Sequence, residues 1–233
     1  MSNNRILMFH HSRFEELGLL GDALKAHGFE LENRHTHRGD ALPPYPEKYT
    51  GIILMGGPVG VYDNLPFITG EMRYIEKLLA RPDHPPVFGI CLGAQMLAQI
   101  HGVKVEKGAK GPETGFTGLE ILEEDRVFGN ELADAKVFQW HQDVWPLPKV
   151  GTNLARNNVY ENQAHSYSKT IYGVQFHPEV TMPIIRRWHA DALNRGQLSA
   201  NTPDMSTIAA DMAANQPLLS AWMHRFTKTL FKG

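Results

Sequence analysis

Short apolar runs alternate with longer amphipathic segments through roughly the first half of the chain, as strands followed by helices do. The run from Gly51 to Met55 is unbroken and apolar, as expected for a strand covered on both faces of a parallel sheet. The predicted strands cover residues 5–10, 29–34, 51–55 and 87–90, and the predicted helices cover residues 14–27, 66–80 and 93–101. This order predicts an α/β fold with a doubly wound, mostly parallel central sheet.

The pattern changes after Gly102, where the apolar runs become shorter and turns separate them. We expect these runs to add antiparallel strands to the central sheet. The predicted strands are residues 103–106, 114–122, 136–139, 153–156 and 171–176, and the predicted helices are residues 181–194, 208–214 and 218–231. Pro203 favours a helix start after a polar break, and the proline-rich run 42–46 is predicted to be a loop.

Length and composition indicate one domain with an appended segment. A chain of 233 residues with 42% hydrophobic and 21% charged residues can bury its own core. We see no internal repeat and no low-complexity linker. We therefore expect an α/β domain over residues 1–195 and a helical extension over residues 196–233 that packs on the same domain.

The charge balance gives no reason to expect a nucleic-acid or membrane partner. Lys and Arg number 23 and Asp and Glu number 25, for a net charge of −2. No apolar stretch reaches the ~18 residues that a membrane helix needs, and the run Met1–Arg5 lacks a signal-peptide layout. The single cysteine excludes an internal disulfide and favours a reducing compartment. These features predict a cytoplasmic protein.

That single cysteine, Cys91, lies between an apolar strand and a helix, with Gly89 and Gly93 two residues away on each side. This is the cysteine version of the nucleophile elbow, in which a tight strand-to-helix turn exposes the reactive atom. The N-terminus of the following helix favours a thiolate. The alternative is an inert cysteine that fills the core, and a thiol nucleophile also needs a base.

A candidate base follows in the run Tyr172 to Val180, where His177 ends a predicted strand. Pro178 prevents the strand from continuing, and Glu179 comes two residues after the histidine. A carboxylate at this spacing can orient the imidazole and stabilise its charged form. The alternative is a strand-end histidine capped by a surface glutamate.

Taken together, Gly-Ile-Cys-Leu-Gly-Ala-Gln-Met-Leu-Ala (89–98) and Gly-Val-Gln-Phe-His-Pro-Glu-Val (173–180) resemble the class I glutamine amidotransferases, which use a Cys-His-Glu triad. Residues 52–63 are similar to the oxyanion strand and loop of that family, and residues 140–148 and 154–157 to its substrate-side segment. The resemblance covers roughly residues 5 to 190 in the right order and is greatest to the stand-alone, GMP-synthase-like members. It implies a flavodoxin-like amidotransferase architecture and hydrolysis of the glutamine side-chain amide to glutamate and ammonia.

The resemblance also implies a role for each matching residue. Cys91 would be the nucleophile that forms a γ-glutamyl thioester, with His177 as its base and Glu179 as the orienting acid. The backbone N–H groups of Gly57 and Leu92 would form the oxyanion hole. The residues that would contact glutamine are Gln95, Val59, Trp140, Gln142 and Asp143. For Trp140, simple core packing is the alternative.

The chain departs from the family at two points. Ala94 stands where many relatives carry a histidine, which lies outside the triad, so coupling to a partner is more in doubt than catalysis. Nothing after residue 190 resembles an acceptor-activating domain, and there is no Walker-type phosphate loop. Either a separate synthetase subunit would then receive the ammonia, or the chain would act as a free amidotransferase-like hydrolase. Alternatives are a γ-glutamyl peptide hydrolase, a non-catalytic partner-binding domain, and a redox or deglycase-type cysteine protein on a related fold.

No cofactor is expected, and the histidines do not predict a metal site. The tightest pairs among the 12 histidines are His10 with His11 and His35 with His37. Neither pair has the i, i+4 spacing of a helical zinc motif, and no cysteine or carboxylate cluster completes a site.

Overall fold

A computed structural model describes residues 4–44 and 49–232 of the chain. It confirms the predicted α/β class, with a large central sheet and five α-helices among the described residues. Two residues of the predicted proline-rich loop, Tyr45 and Pro46, and the first three residues of the chain lie outside the described part.

The central sheet contains eight strands in the order β2-β1-β3-β4-β12-β11-β10-β7. The strands are β1 (Arg5–Phe9), β2 (Glu30–Arg34), β3 (Gly51–Leu54), β4 (Val87–Ile90), β7 (Glu120–Ile121), β10 (Thr152–Arg156), β11 (Ala164–Ser168) and β12 (Ile171–Val174). The first five strands of the spatial order run parallel, and the last three continue the sheet in antiparallel fashion. The predicted antiparallel additions are therefore confirmed.

Helices cover both faces of the parallel half of the sheet. The helices are α1 (Gly18–Ala26), α2 (Pro66–Leu79), α3 (Leu92–Ile100), α4 (Met182–Asn194) and α5 (Met205–Lys232). Alternate residues of β1 point to opposite faces: Ile6 and Met8 pack with α1 and α5, while Leu7 and Phe9 pack with α2 and α3. The two apolar layers hold the parallel strands between them, which fixes where their carboxyl ends lie.

Two short pairs of strands complete the structure beside the carboxyl ends of the parallel strands. The pairs are β5 (Glu106–Lys107) with β9 (Asp143–Val144), and β6 (Glu113–Gly118) with β8 (Lys136–His141). One hydrogen bond, from the His177 N–H to the Phe138 carbonyl at 2.8 Å, joins β8 to the segment that follows β12. The strand that leads into the segment predicted to face the substrate is thus attached directly to the His177 turn.

The C-terminal helix differs from the prediction of a helical pair, because α5 is one continuous helix that contains Pro217. Proline inside a helix removes one hydrogen bond and usually kinks or breaks it. Here Leu219, Trp222 and Phe226 follow within three turns and are fully buried against the sheet and α1. Tertiary packing of this apolar face offsets the local cost of the proline.

Three other predictions from the pattern were wrong in their bounds. The first helix begins at Gly18 and not at Phe14, the strand predicted over 114–122 divides into β6 and β7, and the strand predicted over 103–106 is only Glu106–Lys107. Strand β11 was missed, because its buried positions include His165, Ser166 and Tyr167 in place of aliphatic residues.

Within residues 4–44 and 49–232, no helix combines the length and the apolar character that crossing a bilayer requires.

Candidate active site

Cys91 lies at a sharp turn between β4 and α3, as the sequence predicted. Its backbone has φ 50° and ψ −106°, which is rare for a residue with a side chain. A Cβ added to Gly93 would lie 2.1 Å from the Leu54 carbonyl oxygen, and one added to Gly89 would lie 2.6 Å from the Gly93 oxygen. Only glycine permits these approaches, so the two flanking glycines allow the strained turn to pack against the sheet.

His177 and Glu179 lie in the segment that leaves β12, the parallel neighbour of β4. The imidazole Nδ1 donates a hydrogen bond of 2.7 Å to Glu179 Oε1, and both side chains are almost fully buried. The Trp188 ring packs edge-on against the imidazole, with ring centroids 4.8 Å apart. Since Nδ1 is occupied by the carboxylate, Nε2 is the nitrogen that remains for Cys91.

The electrostatic surroundings of His177 favour its protonated form. Burial by itself lowers the pKa of this imidazole, but the charge of Glu179, the charge of Cys91 and hydrogen bonds to both residues outweigh burial and raise the pKa to about 10. A protonated imidazole beside the sulfur stabilises a thiolate. The structure therefore brings Cys91, His177 and Glu179 together in one buried cluster.

Helix α1 holds the Glu179 backbone. The Leu19 N–H donates a 2.8 Å hydrogen bond to the Glu179 carbonyl oxygen. Gly18 has φ 43°, and a Cβ at this position would lie only 2.0 Å from the same oxygen. This contact explains why α1 begins at Gly18: the preceding residues turn away to pass beside the site.

Gly56 and Gly57 follow β3 and pass directly over the cluster. A Cβ added to Gly56 would lie 3.0 Å from His177 Cε1 and 3.7 Å from Cys91 Cβ. Within the described residues, neither the Gly57 N–H nor the Leu92 N–H has a hydrogen-bond acceptor. The two amide groups predicted for the oxyanion hole therefore remain unsatisfied inside the protein.

Gln95 lies on the first turn of α3 and is buried beside the site. Its Nε2 donates to the Asp143 carbonyl oxygen at 3.1 Å and to Gln175 Oε1 at 3.2 Å. Gln175 in turn directs its own Nε2 to Cys91 Sγ at 3.6 Å. Sequence reasoning missed Gln175, although its position two residues before His177 marks it as a neighbour on the same strand end.

A cavity of about 860 Å³ opens in front of Cys91. All the residues predicted to contact glutamine line it, together with Gly57, Cys91 and His177; they are Gln95, Val59, Trp140, Gln142 and Asp143. Glu179 and Leu92 do not line the cavity. Glu179 lies behind His177, to which it is hydrogen-bonded, and Leu92 is buried at the first position of α3.

The cavity extends well beyond the cysteine. Arg13, from the segment between β1 and α1, and Arg38, from the segment between β2 and β3, line it. Trp188 of α4 and Arg195, which follows α4, line it as well. The Tyr62 hydroxyl donates to both carboxylate oxygens of Asp143, at 2.8 and 2.9 Å. Apart from Asp143, sequence reasoning did not identify these residues as part of the site, because no local motif marks them.

The histidine pairs considered as metal ligands have other contacts. The His10 and His35 rings stack with centroids 4.7 Å apart, and His10 Nε2 hydrogen-bonds to Asn33 Oδ1 at 2.8 Å. Burial and, to a smaller extent, the charges of the neighbouring histidines lower the pKa of His10 to about 4, against the hydrogen bond to Asn33. In the part of the chain that the structure describes, no three His, Cys, Asp or Glu side chains are arranged to hold a metal ion.

Comparisons with known proteins bear on this arrangement. The model of the family described as "Glutamine amidotransferase class-I" matches residues 19–195. A glutamine-hydrolyzing GMP synthase subunit of Pyrococcus abyssi is 40% identical over 135 residues, which are 56% of this chain and 66% of that protein. Gamma-glutamyl peptidase 4 of Arabidopsis thaliana is 29% identical over 182 residues, which are 76% of this chain and 71% of that protein.

A crystal structure of a glutamine amidotransferase from Thermotoga maritima aligns with a TM-score of 0.87 at 29% identity and covers 99% of both chains. By contrast, the match to GMP synthase of Spiroplasma kunkelii, at 33% identity, spans only 25% of that protein.

Proposed function

Because the chain belongs to the class I glutamine amidotransferase family, we propose that it hydrolyses the side-chain amide of glutamine through a γ-glutamyl thioester on Cys91. The observation that carries this proposal is the buried cluster of Cys91, His177 and Glu179 at the floor of the cavity. A nucleophile, a base and an orienting acid in contact are the parts that covalent amide hydrolysis needs.

In the proposed mechanism, His177 Nε2 takes the thiol proton and the Cys91 sulfur attacks the amide carbon of glutamine. The carbon–oxygen double bond opens to a tetrahedral oxyanion. The imidazolium then gives its proton to the amide nitrogen, ammonia leaves, and the thioester remains. Water, deprotonated by His177, attacks the thioester, and the sulfur departs to release glutamate.

The Gly57 and Leu92 N–H groups support this mechanism as donors to the oxyanion. Backbone donors that are already aimed need no reorganisation as the charge develops, and one such donor typically contributes about 10²- to 10³-fold in rate. Both groups lack an internal acceptor among the described residues, and both belong to segments that flank Cys91. Gln95, Val59, Trp140, Gln142 and Asp143 would hold the amino-acid end of the substrate along the cavity wall.

We also propose that a separate synthetase partner can accept the ammonia, because several relatives of this chain are named as one of the subunits of GMP synthase. An assay of free ammonia and glutamate from the isolated chain tests this idea. Little turnover alone, together with stimulation by a synthetase partner, is the result expected of a partner-dependent enzyme. Rapid release of equal amounts of both products without a partner would contradict dependence on one.

The second candidate is hydrolysis of γ-glutamyl peptides, and the size of the cavity favours it. A volume of about 860 Å³ is near the upper end of the ~300–1,000 Å³ typical of sites for drug-sized ligands. The lining extends past the residues assigned to glutamine to Trp188 and Arg195, among others, which leaves room for the leaving group of a peptide. The relative named as a gamma-glutamyl peptidase adds support, since the alignment with it extends over 76% of this chain.

The deciding experiment measures glutamate release from glutamine, glutathione and γ-glutamyl dipeptides by the wild type and by Cys91→Ala. We expect release by the wild type and none by the variant. A glutamine-like diazo-ketone should add its mass to Cys91 in the wild type. Equal release by the variant, or a wild type inactive on every substrate and unreactive with the diazo-ketone, would refute the proposed chemistry. Faster hydrolysis of the peptides than of glutamine would favour the second candidate.

A further inference from the structure

His11 lies next to the site, although it is not part of the triad and no motif marks it. It is the second residue after β1, and its side chain is fully buried. The imidazole Nδ1 lies 2.9 Å from the Gly56 carbonyl oxygen and 2.9 Å from the Met55 carbonyl oxygen. A Cβ added to Gly57 would lie 2.8 Å from His11 Cβ. His11 is thus packed against the loop that carries one proposed oxyanion donor.

The geometry of a peptide group gives this contact a consequence for Gly57. The Gly56 carbonyl and the Gly57 N–H belong to the same peptide unit, which is planar and trans. In such a unit the C=O and N–H bonds point in opposite directions. A donor that holds the Gly56 oxygen on the His11 side therefore aims the Gly57 N–H away from His11, and Gly57 lines the cavity in front of Cys91.

The sequence of the loop makes an external anchor necessary. Glycine accepts a wide range of backbone angles at little cost, so a peptide between two glycines rotates easily. The Gly57 N–H has no acceptor in the described part of the chain that would fix its direction. The His11 side chain supplies the constraint that the glycines lack.

His11 is itself held in place both at its ring and at its backbone. Its Nε2 lies 2.8 Å from Glu71 Oε2, and the Thr36 hydroxyl donates to the other oxygen of that carboxylate. The His11 backbone N–H donates to Glu15 Oε2 at 2.6 Å. Thr36, Glu71 and the His11 ring are all buried, so the donor at Nδ1 has little freedom to turn away.

Both ring nitrogens of His11 face acceptors, and only the doubly protonated ring can donate from both. Burial lowers the pKa of His11, but the hydrogen bond and charge of Glu71, the charge of Glu15 and the bond to Gly56 raise it to about 9. At neutral pH the Nδ1–H is therefore a charge-assisted donor, which makes a stronger bond than a neutral one.

We propose that His11 is a positioning residue of the reaction, which anchors the Gly56 carbonyl and thereby aims the Gly57 N–H at the oxyanion. This inference rests on the proposed function, because the oxyanion forms only if Cys91 attacks a carbonyl carbon. It assigns the pair of His11 and Glu71 to transition-state stabilisation, although neither side chain touches the reacting atoms.

The test compares His11→Asn with His11→Gln. The Asn amide nitrogen falls near the position of Nδ1, whereas the Gln amide nitrogen falls near that of Nε2. Both variants replace the ring with a neutral amide, so general damage to the fold should be similar. We expect His11→Gln to lose about 10²-fold in kcat, the usual effect of losing one oxyanion donor, with little change in KM. His11→Asn should recover at least about tenfold of this loss.

Alkylation of Cys91 by the diazo-ketone provides a second readout. It depends on the thiol and His177 but forms no tetrahedral oxyanion, so its rate should be retained in His11→Gln. His10→Ala, which removes the adjacent buried ring that contacts Asn33, serves as the control and should keep both rates. The proposal is overturned if His11→Gln hydrolyses like the wild type, or if both His11 variants lose hydrolysis and labelling in proportion.

A crystal structure of His11→Gln separates failure of this inference from failure of the proposed function. If the wild type hydrolyses no γ-glutamyl substrate, the proposed function fails, but the anchor is still tested by the direction of the 56–57 peptide. Rotation of that peptide in the variant supports the anchor. An unchanged peptide overturns it, whatever the enzyme's substrate.

Discussion

Two histidine–glutamate pairs lie on opposite sides of the Gly56–Gly57 loop. In the first pair, His177 Nδ1 contacts Glu179 at 2.7 Å. In the second, His11 Nε2 contacts Glu71 at 2.8 Å. Burial disfavours the charged imidazole in both, and the carboxylate partner still raises the pKa, to about 10 for His177 and to about 9 for His11.

The pairs differ in what the second ring nitrogen faces. In His177 it faces Cys91, a group that can exchange a proton and that borders the cavity. In His11 it faces two backbone carbonyl oxygens, which only accept. The same kind of buried pair is therefore proposed to transfer protons at His177 and to hold the backbone at His11. Burial, a carboxylate partner and a raised pKa do not by themselves identify a catalytic histidine.

The largest expected effect is that of His177→Gln. This change removes the proton acceptor for Cys91 and should lower kcat/KM by about 10³- to 10⁴-fold. The diazo-ketone should also label Cys91 much more slowly. Steady-state hydrolysis and mass spectrometry of the labelled protein measure the two effects. Labelling at the wild-type rate would show that another group takes the thiol proton.

A smaller loss is expected for Glu179→Gln. The amide keeps a hydrogen-bonding group near Nδ1 but removes the negative charge that favours imidazolium. We expect a decrease of about 10²-fold in kcat/KM, at the lower end of what general acid–base catalysis contributes. The pKa of His177 should fall, since Glu179 raises it. Titration of the ring by NMR checks this shift. An unchanged titration would mean that Glu179 does not control the protonation of His177.

For the second pair the expected effect is on stability rather than turnover. The pKa of His11 is about 9 in the folded protein and 6.5 ordinarily, so the folded state binds an additional proton between these values. The stabilisation from His11 is complete below about pH 6.5 and is lost as the pH rises through about 9. Between about pH 7.5 and 8.5 it should decrease by about 1.2 kcal/mol.

Urea unfolding of the wild type and of His11→Asn at these two pH values measures that decrease. His177 contributes alike to the pH dependence of the unfolding free energy in both proteins. The difference between the two pH dependences therefore isolates the contribution of His11. The groups that face the ring, Glu15 and Glu71, remain in both proteins. Identical pH dependences would show that His11 is neutral in the folded state and would weaken the comparison of the two pairs.

The smallest expected effect on hydrolysis is that of Thr36→Val. This nearly isosteric change removes the hydroxyl that donates to Glu71 and should cost about 1.5–3 kcal/mol of stability, as for other hydrogen bonds to charged groups. Hydrolysis should change by less than about threefold, since His11 keeps its carboxylate partner. Thermal and urea unfolding together with the glutamate assay give both numbers. A large loss of activity at full stability would place Thr36 closer to the chemistry than the structure does.

The first pair could be predicted from the sequence because its signals are local. A cysteine between two glycines at a strand-to-helix junction, and a histidine followed by proline and glutamate, each occupy fewer than ten residues. The parallel pairing of β4 with β12 then brings the two motifs together, since both follow the carboxyl ends of adjacent strands. Two short sequence motifs and the regular pairing of parallel strands are therefore enough to predict the positions of Cys91, His177 and Glu179.

The second pair could not be predicted in this way. His11 and Glu71 are separated by 60 positions, and Glu71 occupies a helix in which glutamate is ordinarily exposed. The periodicity also extended the first helix back to Phe14, because no local signal shows that Gly18 must pass close to the Glu179 carbonyl. The contact between the start of α1 and the Glu179 carbonyl is a tertiary one. It determines where the helix begins and where the residues before it lie.

Cys91 is the only sulfhydryl group in the molecule. If an oxidant converts it to a sulfenic acid, no second thiol of the same chain is present to form a disulfide and begin its recovery. Reactivation would then depend on a small-molecule thiol that can enter from the solvent side of the cleft. If Cys91 is the nucleophile, the time for which the protein stays active therefore depends on the redox state of its surroundings.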